Sequence, residues 1–150
     1  MAQISFKNVG KTAESVFVEQ LAAQRTPVGP VTPLRLAGSG TDLFSMHYTL
    51  ADMIHDNLKN LLLTNRGERL VHTNYGANLL PLASEYVDAE SFDIEATQRI
   101  KTAANKWMPF IELDEYASSL KNDTVIIEIS YNVPTIGIAG KRLQIELNIT

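Results

Sequence analysis

The sequence predicts an α+β domain: two main helices packed on a small antiparallel three-stranded sheet, preceded by an extended N-terminal arm. Three observations predict it. Apolar residues recur at three- and four-residue steps in two stretches, one ending near Thr64 and the other at Trp107. Toward the C-terminus they alternate with polar residues instead, the pattern of strands with one buried and one wet face. Before Leu43, Pro27, Pro30, Pro33, Gly38 and Gly40 break any regular structure.

Residues 1–42 are therefore expected to form an arm rather than a second domain. Ile4, Phe6 and Val9 mark a short strand, and "TAESVFVEQLAAQ" has a helical pattern with Val16, Phe17 and Leu21 on one face. A Pro/Gly-rich linker follows. Residues 43–150 form the compact domain. Thr49 and Asp52 have capping-box spacing, with Asp in place of Glu or Gln. Leu50, Met53, Ile54, Leu58, Leu61 and Leu62 then share a helix face that ends near Thr64, because Asn65, Arg66 and Gly67 are turn chemistry. The second helix is expected from about Ser91 to Trp107, with Phe92, Ala96, Ile100, Ala103 and Trp107 buried and Pro109 as its stop. "IELDEYASSL" is a weak strand. Val125, Ile127, Ile129 and Tyr131 line one side of the next, and Leu143, Ile145, Leu147 and Ile149 one side of the last. Asn122-Asp123 turns the first pair, and a longer loop from Pro134 to Gly140 joins the second.

A chain of 150 residues, 45% hydrophobic and 20% charged, suits one soluble globular domain. Its net charge of −4 argues against a dominant nucleic-acid surface. The absence of cysteine excludes disulfides, thiolate metal sites and cysteine nucleophiles. No apolar run approaches the roughly 20 residues that span a bilayer. The opening "MAQISFKNVGK" lacks a signal peptide's apolar stretch, so synthesis in the cytoplasm without a signal peptide is expected.

The densest patch of chemistry is "LLLTNRGERLVHTNYGANLL", residues 61–80. An enzymatic reading finds little there. His47, His55 and His72 lack helical metal-site spacing, and no phosphate loop or nucleophile elbow occurs. Glu68 and Glu85 can be nominated as a glycosidase pair, but 17 acidic residues make such a pair easy to find. No cofactor, metal or small-molecule ligand is expected. A structural reading uses more residues: Gly67 for a positive φ at the helix exit, Arg66 and Arg69 as donors to helix-end carbonyls or a carboxylate, Tyr75 at the core edge, and Gly76 for a tight approach. The corner either closes on itself or also pairs with carboxylates of another chain.

The order of these features resembles the gene-25-like (GPW) baseplate wedge family of contractile phage tails, which includes type VI secretion baseplate subunits. The resembling residues are Leu61 to Thr64, Gly67-Glu68-Arg69, Tyr75-Gly76, and the Trp107-x-Pro109 step before "FIEL"; the resemblance spans about Leu43 to Ile149. Family members commonly carry Glu-Pro-Arg after the second helix, where this chain has Met108, Pro109 and Phe110. The resemblance implies a non-enzymatic protein of the virion tail baseplate. Its implied partners are the helical bundle of other wedge subunits and the first ring of tail sheath protein. The resemblance does not extend to the N-terminal arm, whose apolar Ile4, Phe6, Val16, Phe17 and Leu21 instead predict docking on a neighbouring baseplate subunit, the tail tube or the hub. Nucleic acid and membrane are not among the expected partners. The terminal strand Arg142, Gln144, Ile145, Glu146, Leu147 and Asn148 is the candidate edge for pairing with sheath strands and nucleating the sheath. The alternatives are a lysozyme-like, peptidoglycan-cleaving tail enzyme and a type VI secretion subunit.

Overall fold

The computed structural model describes residues 26–37, 43–85, 89–121 and 124–148. The expected strand near Ile4, the helix bearing Val16, Phe17 and Leu21, the Gly38–Gly40 joint, the Asn122-Asp123 turn and Ile149 lie outside them.

Two short strands open the described chain: β1 (Gly29–Pro30) and β2 (Met46–His47), paired antiparallel. Further backbone bonds extend the ladder, Val28 N to His47 O at 2.8 Å and Ser45 N to Arg35 O at 2.9 Å. The proline-rich stretch thus pairs back on residues 43–47. Prolines are tolerated there because a two-stranded ribbon has edges on both sides.

Helix α1 (Leu50–Leu63) starts at Thr49, whose hydroxyl oxygen accepts from Asp52 N at 3.2 Å. The Asp52 carboxylate accepts from the Thr49 hydroxyl rather than completing the box on the backbone. Ile54, Leu58, Leu61 and Leu62 are buried and Met53 partly so. Leu50, expected on the same face, is 42% exposed. The helix ends at Leu63, with Thr64 extended.

A second helix, α2 (Leu79–Glu85), was not expected as a separate element. Seven residues are too few for a clear periodicity, and Pro81 reads as a breaker. In the first turn, though, a proline leaves no helical hydrogen bond unmade. Leu79, Leu82 and Ala83 are buried at i, i+3 and i+4. Helix α3 (Ala89–Trp107) begins slightly earlier than expected and buries Phe92, Ala96, Ile100, Ala103 and Ala104.

The sheet has order β3–β4–β5, all antiparallel: β3 (Glu112–Lys121), β4 (Thr124–Val133) and β5 (Ile138–Asn148). Pairs such as Ile127 with Ile145 and Ile129 with Leu143 put the apolar face under the helices. Each fully buried aliphatic contributes about 1.5–3 kcal/mol relative to exposure. The connection between β4 and β5 is shorter than expected. A 3-10 turn at Pro134–Ile136 and left-handed Gly137 reverse the chain, so β5 starts before Arg142. Among the described residues no helix is long and apolar enough to cross a membrane.

Candidate functional site

The corner begins where α1 runs out of internal donors. Thr64 N and its hydroxyl both donate to Asn60 O, at 3.1 and 2.6 Å. The chain then loops outward and returns, so that Ala77 N reaches Leu61 O at 3.1 Å and Asn78 N reaches Thr64 O at 3.4 Å. These bonds satisfy carbonyls that a helix end leaves open. The return demands Gly76. Its φ is +106°, and a Cβ there would sit 2.1 Å from Thr64 O. Gly67, at φ +90°, bonds through its N–H to Thr73 O at 2.8 Å and closes the outer loop.

The expected residues meet here in roles that partly differ from expectation. Arg69 makes no hydrogen bond to a helix-end carbonyl or carboxylate among the described residues. Its Cζ lies 3.8 Å from the centre of the Tyr75 ring. The returning backbone takes Leu61 O and Thr64 O, and the exposed guanidinium packs on the ring's electron-rich face instead. Burial raises the Tyr75 phenol above its ordinary value, with Arg69 opposing. Tyr75 meets Trp107 edge-on at 5.1 Å, and His72 meets the same indole at 5.5 Å. Arg66 donates its backbone N–H to Asn78 Oδ1 at 3.3 Å while its side chain faces outward. Glu68 turns onto its own loop, both carboxylate oxygens accepting from Asn65 at 2.8 Å.

Other residues complete the corner without a local sequence signal. Arg99 reaches across from α3, bonding Asn78 O at 2.9 Å and Glu95 at 2.8 Å. Of these two contacts, the Glu95 pairing alone follows an i, i+4 spacing. A cleft of about 260 Å³ opens between Arg66, Asn74, Arg99, Thr102, Lys106 and Trp107. At the end of α3, Met108 is buried, whereas Pro109 and Phe110 are exposed. Apolar packing thus holds the first position of the altered triplet.

The hairpin before α1 is pinned by a second cluster that the sequence reading missed. Asp56 Oδ2 accepts from Thr32 N at 3.0 Å, from the Thr32 hydroxyl at 3.2 Å and from His47 Nε2 at 2.7 Å. Burial alone would raise the Asp56 carboxyl; the Thr32 and His47 bonds outweigh it and hold it below its ordinary value. Deeper in, His55 Nδ1 lies 3.0 Å from the Tyr131 hydroxyl. Burial pushes His55 down and Tyr131 up to about 12. Among the described residues no group of three or more His, Asp or Glu side chains is placed to hold a metal ion.

The sheet has two edges. Along β5 the register runs unbroken from Lys141 to Leu147 and Asn148 against β4. Arg142, Gln144, Glu146 and Asn148 are exposed, while Ile145 and Leu147 point into the core. β3 is interrupted between Leu113 and Tyr116, where Ser130 Oγ accepts from Glu115 N at 2.9 Å. Asp93 on α3 clamps the same strand by accepting from the Tyr116 and Ser118 hydroxyls.

No protein-family model matches the chain, and no curated protein does. Solved structures do. A protein from Geobacter sulfurreducens, provisionally named a tail lysozyme, superposes with a TM-score of 0.54 at 20% identity, covering 66% of this chain and 88% of that one. A chain of the anti-feeding prophage baseplate superposes with a TM-score of 0.53 at 13% identity, covering 81% of this chain and 84% of that one. At these identities the likeness establishes a shared fold.

Proposed function

We propose that this chain is a structural subunit of a contractile-tail baseplate wedge, joining the helical bundle of other wedge subunits to the first sheath ring. The carrying observation is a fold shared with an anti-feeding prophage baseplate chain, combined with a β5 edge whose outer side pairs with no described strand. Sheath strands add to that edge through backbone bonds, which leaves Ile145 and Leu147 undisturbed in the core. Five such bonds contribute roughly 0.5–1.5 kcal/mol each. Ordering the visiting strand costs about 1–2 kcal/mol per residue. Backbone pairing alone therefore does not hold it, and many-copy assembly in a ring supplies the difference. That makes the contact weak for a lone sheath monomer and firm at a baseplate, as a nucleator requires. The corner meets the wedge subunits, and the part of the N-terminal arm that precedes the β1–β2 hairpin meets the tail tube or hub.

A peptidoglycan-cleaving reading is favoured by the name given to the Geobacter protein. Against it, both Glu68 oxygens are engaged by Asn65. A density map of the assembled particle tests the proposal: the chain is expected between the wedge and the first sheath ring. Its absence from the particle, or glycan cleavage abolished by Glu68→Gln or Glu85→Gln, would overturn it. Neighbouring capsid genes mark a phage origin, and their absence beside sheath and tube genes a secretion system.

A further inference from the structure

The corner holds more cations than the carboxylates of the described residues pair. Arg66 and Lys106 line the cleft, and Arg69 stands on the adjoining loop. The ion pairs among the described residues leave all three without a carboxylate, while Arg99 is held by Glu95. Cations near helix C-termini offset the helix dipole. That accounts for Arg66 beyond α1 and Lys106 in the last turn of α3. It does not account for Leu70 and Val71, which are 98% and 87% exposed at the tip of the loop. The two stems of that loop, Arg66 and Asn74, both line the cleft, and Leu70 and Val71 stand between those stems in the chain. Trp107 forms a wall, with Lys106 Nζ 5.2 Å from the ring centre.

Cations with no carboxylate partner among the described residues, an indole wall and two exposed aliphatic side chains on the loop that frames the cleft together fit a ligand that carries carboxylates and apolar side chains at once. We propose that this cleft seats an acidic amphipathic segment of a partner protein, its carboxylates on Arg66 and Lys106 and its apolar side chains against Leu70, Val71 and Trp107. The proposal deepens the wedge contact proposed above and rests on that reading for the assembly in which the partner is met. Nucleic acid fits less well, because it offers nothing to the exposed Leu70 and Val71 and faces a chain of net charge −4.

The test is an NMR titration of the full-length, isotope-labelled protein with three probes. Two are helical peptides of about sixteen residues sharing one leucine face, one with a glutamate polar face and one with a lysine polar face. The third is an oligothymidylate. The glutamate peptide is expected to shift the amides of Gly67, Val71 and Gly76 and the Trp107 indole N–H, and to weaken with salt. The charge reversal Arg66→Glu with Lys106→Glu should raise its Kd at least about tenfold, and the exchange Arg66→Lys with Lys106→Arg should restore it. If the reversal does not fold, Arg66→Gln with Lys106→Gln replaces it. No response to the glutamate peptide, shifts confined elsewhere, or equal binding of the lysine peptide would overturn the inference; tighter binding of oligothymidylate would overturn it in favour of nucleic acid. The two readings fail separately. A reversal variant that enters tails as efficiently as wild type sinks the cleft and spares the baseplate role. Wild type that is missing from tails but binds the glutamate peptide sinks the baseplate role and spares the cleft.

Discussion

Beyond α1 the open carbonyls meet donors from their own chain: Leu61 O takes Ala77 N, and Thr64 O takes Asn78 N. Along the outer side of β5, from Lys141 to Asn148, no described strand supplies such donors. Both places end a regular array of backbone hydrogen bonds. One is closed from within, at the cost of a glycine that admits no side chain. The other stays open among the described residues, and the proposed function fills it with a visiting strand. The difference predicts where a substitution should unfold the protein and where it should leave the fold intact and remove a partner.

Gly76→Ala breaks the closed end most directly. The added Cβ clashes with a backbone oxygen and sits at a positive φ, so a loss of about 3 kcal/mol or more is expected in chemical denaturation. Gly67→Ala shares the strained φ but faces open space, and should lose only about 1–2 kcal/mol. Equal losses at the two glycines would mean that the close approach to Thr64 is not what holds the corner.

Asp56→Ala asks whether the N-terminal hairpin behaves like the corner or like the open edge. It removes the acceptor for Thr32 and His47, at a cost of about 2 kcal/mol near neutral pH. Because the folded carboxyl is held below 3.8, its contribution is complete above that value and fades as the pH falls through the lower folded value. Wild type and variant should therefore converge in acid, below pH 3.8. A gap that persists there would assign the loss to packing rather than to charge.

Smaller effects sharpen the same contrast. Arg69→Ala should cost about 0.5–1 kcal/mol, the size of an exposed cation–π contact. A larger loss would restore a hydrogen-bonding role. Glu146→Lys, on the exposed face of β5, should change stability by less than about 0.5 kcal/mol.

The periodic elements were legible in the sequence because one residue class repeats over many turns. Leu58 and Leu61 in α1, Ile100 in α3 and Ile127 and Ile145 in the sheet all lie where their spacing put them. α2 was hidden by its length and by Pro81. The site was half legible. Gly67, Tyr75 and Gly76 announce a turn by their chemistry. The recruitment of Arg99 and Lys106 depends on how α3 crosses the corner, and no local spacing encodes that. The Asp56 cluster was hidden for the same reason, since Thr32 lies 24 residues away. Arg69 misled because a guanidinium beside a helix end suggests hydrogen bonds, whereas the returning backbone takes Leu61 O and Thr64 O and the guanidinium lies on the Tyr75 ring.

The central claim is that β5 is left open for strands of another protein. Single cysteines at Gln144 and Glu146, in a chain with no cysteine of its own, test it when partners are placed along the terminal arms of the sheath protein. The account predicts crosslinks in assembled tails and none with free sheath monomer. Crosslinks to tube protein alone, with the sheath never captured, would contradict it.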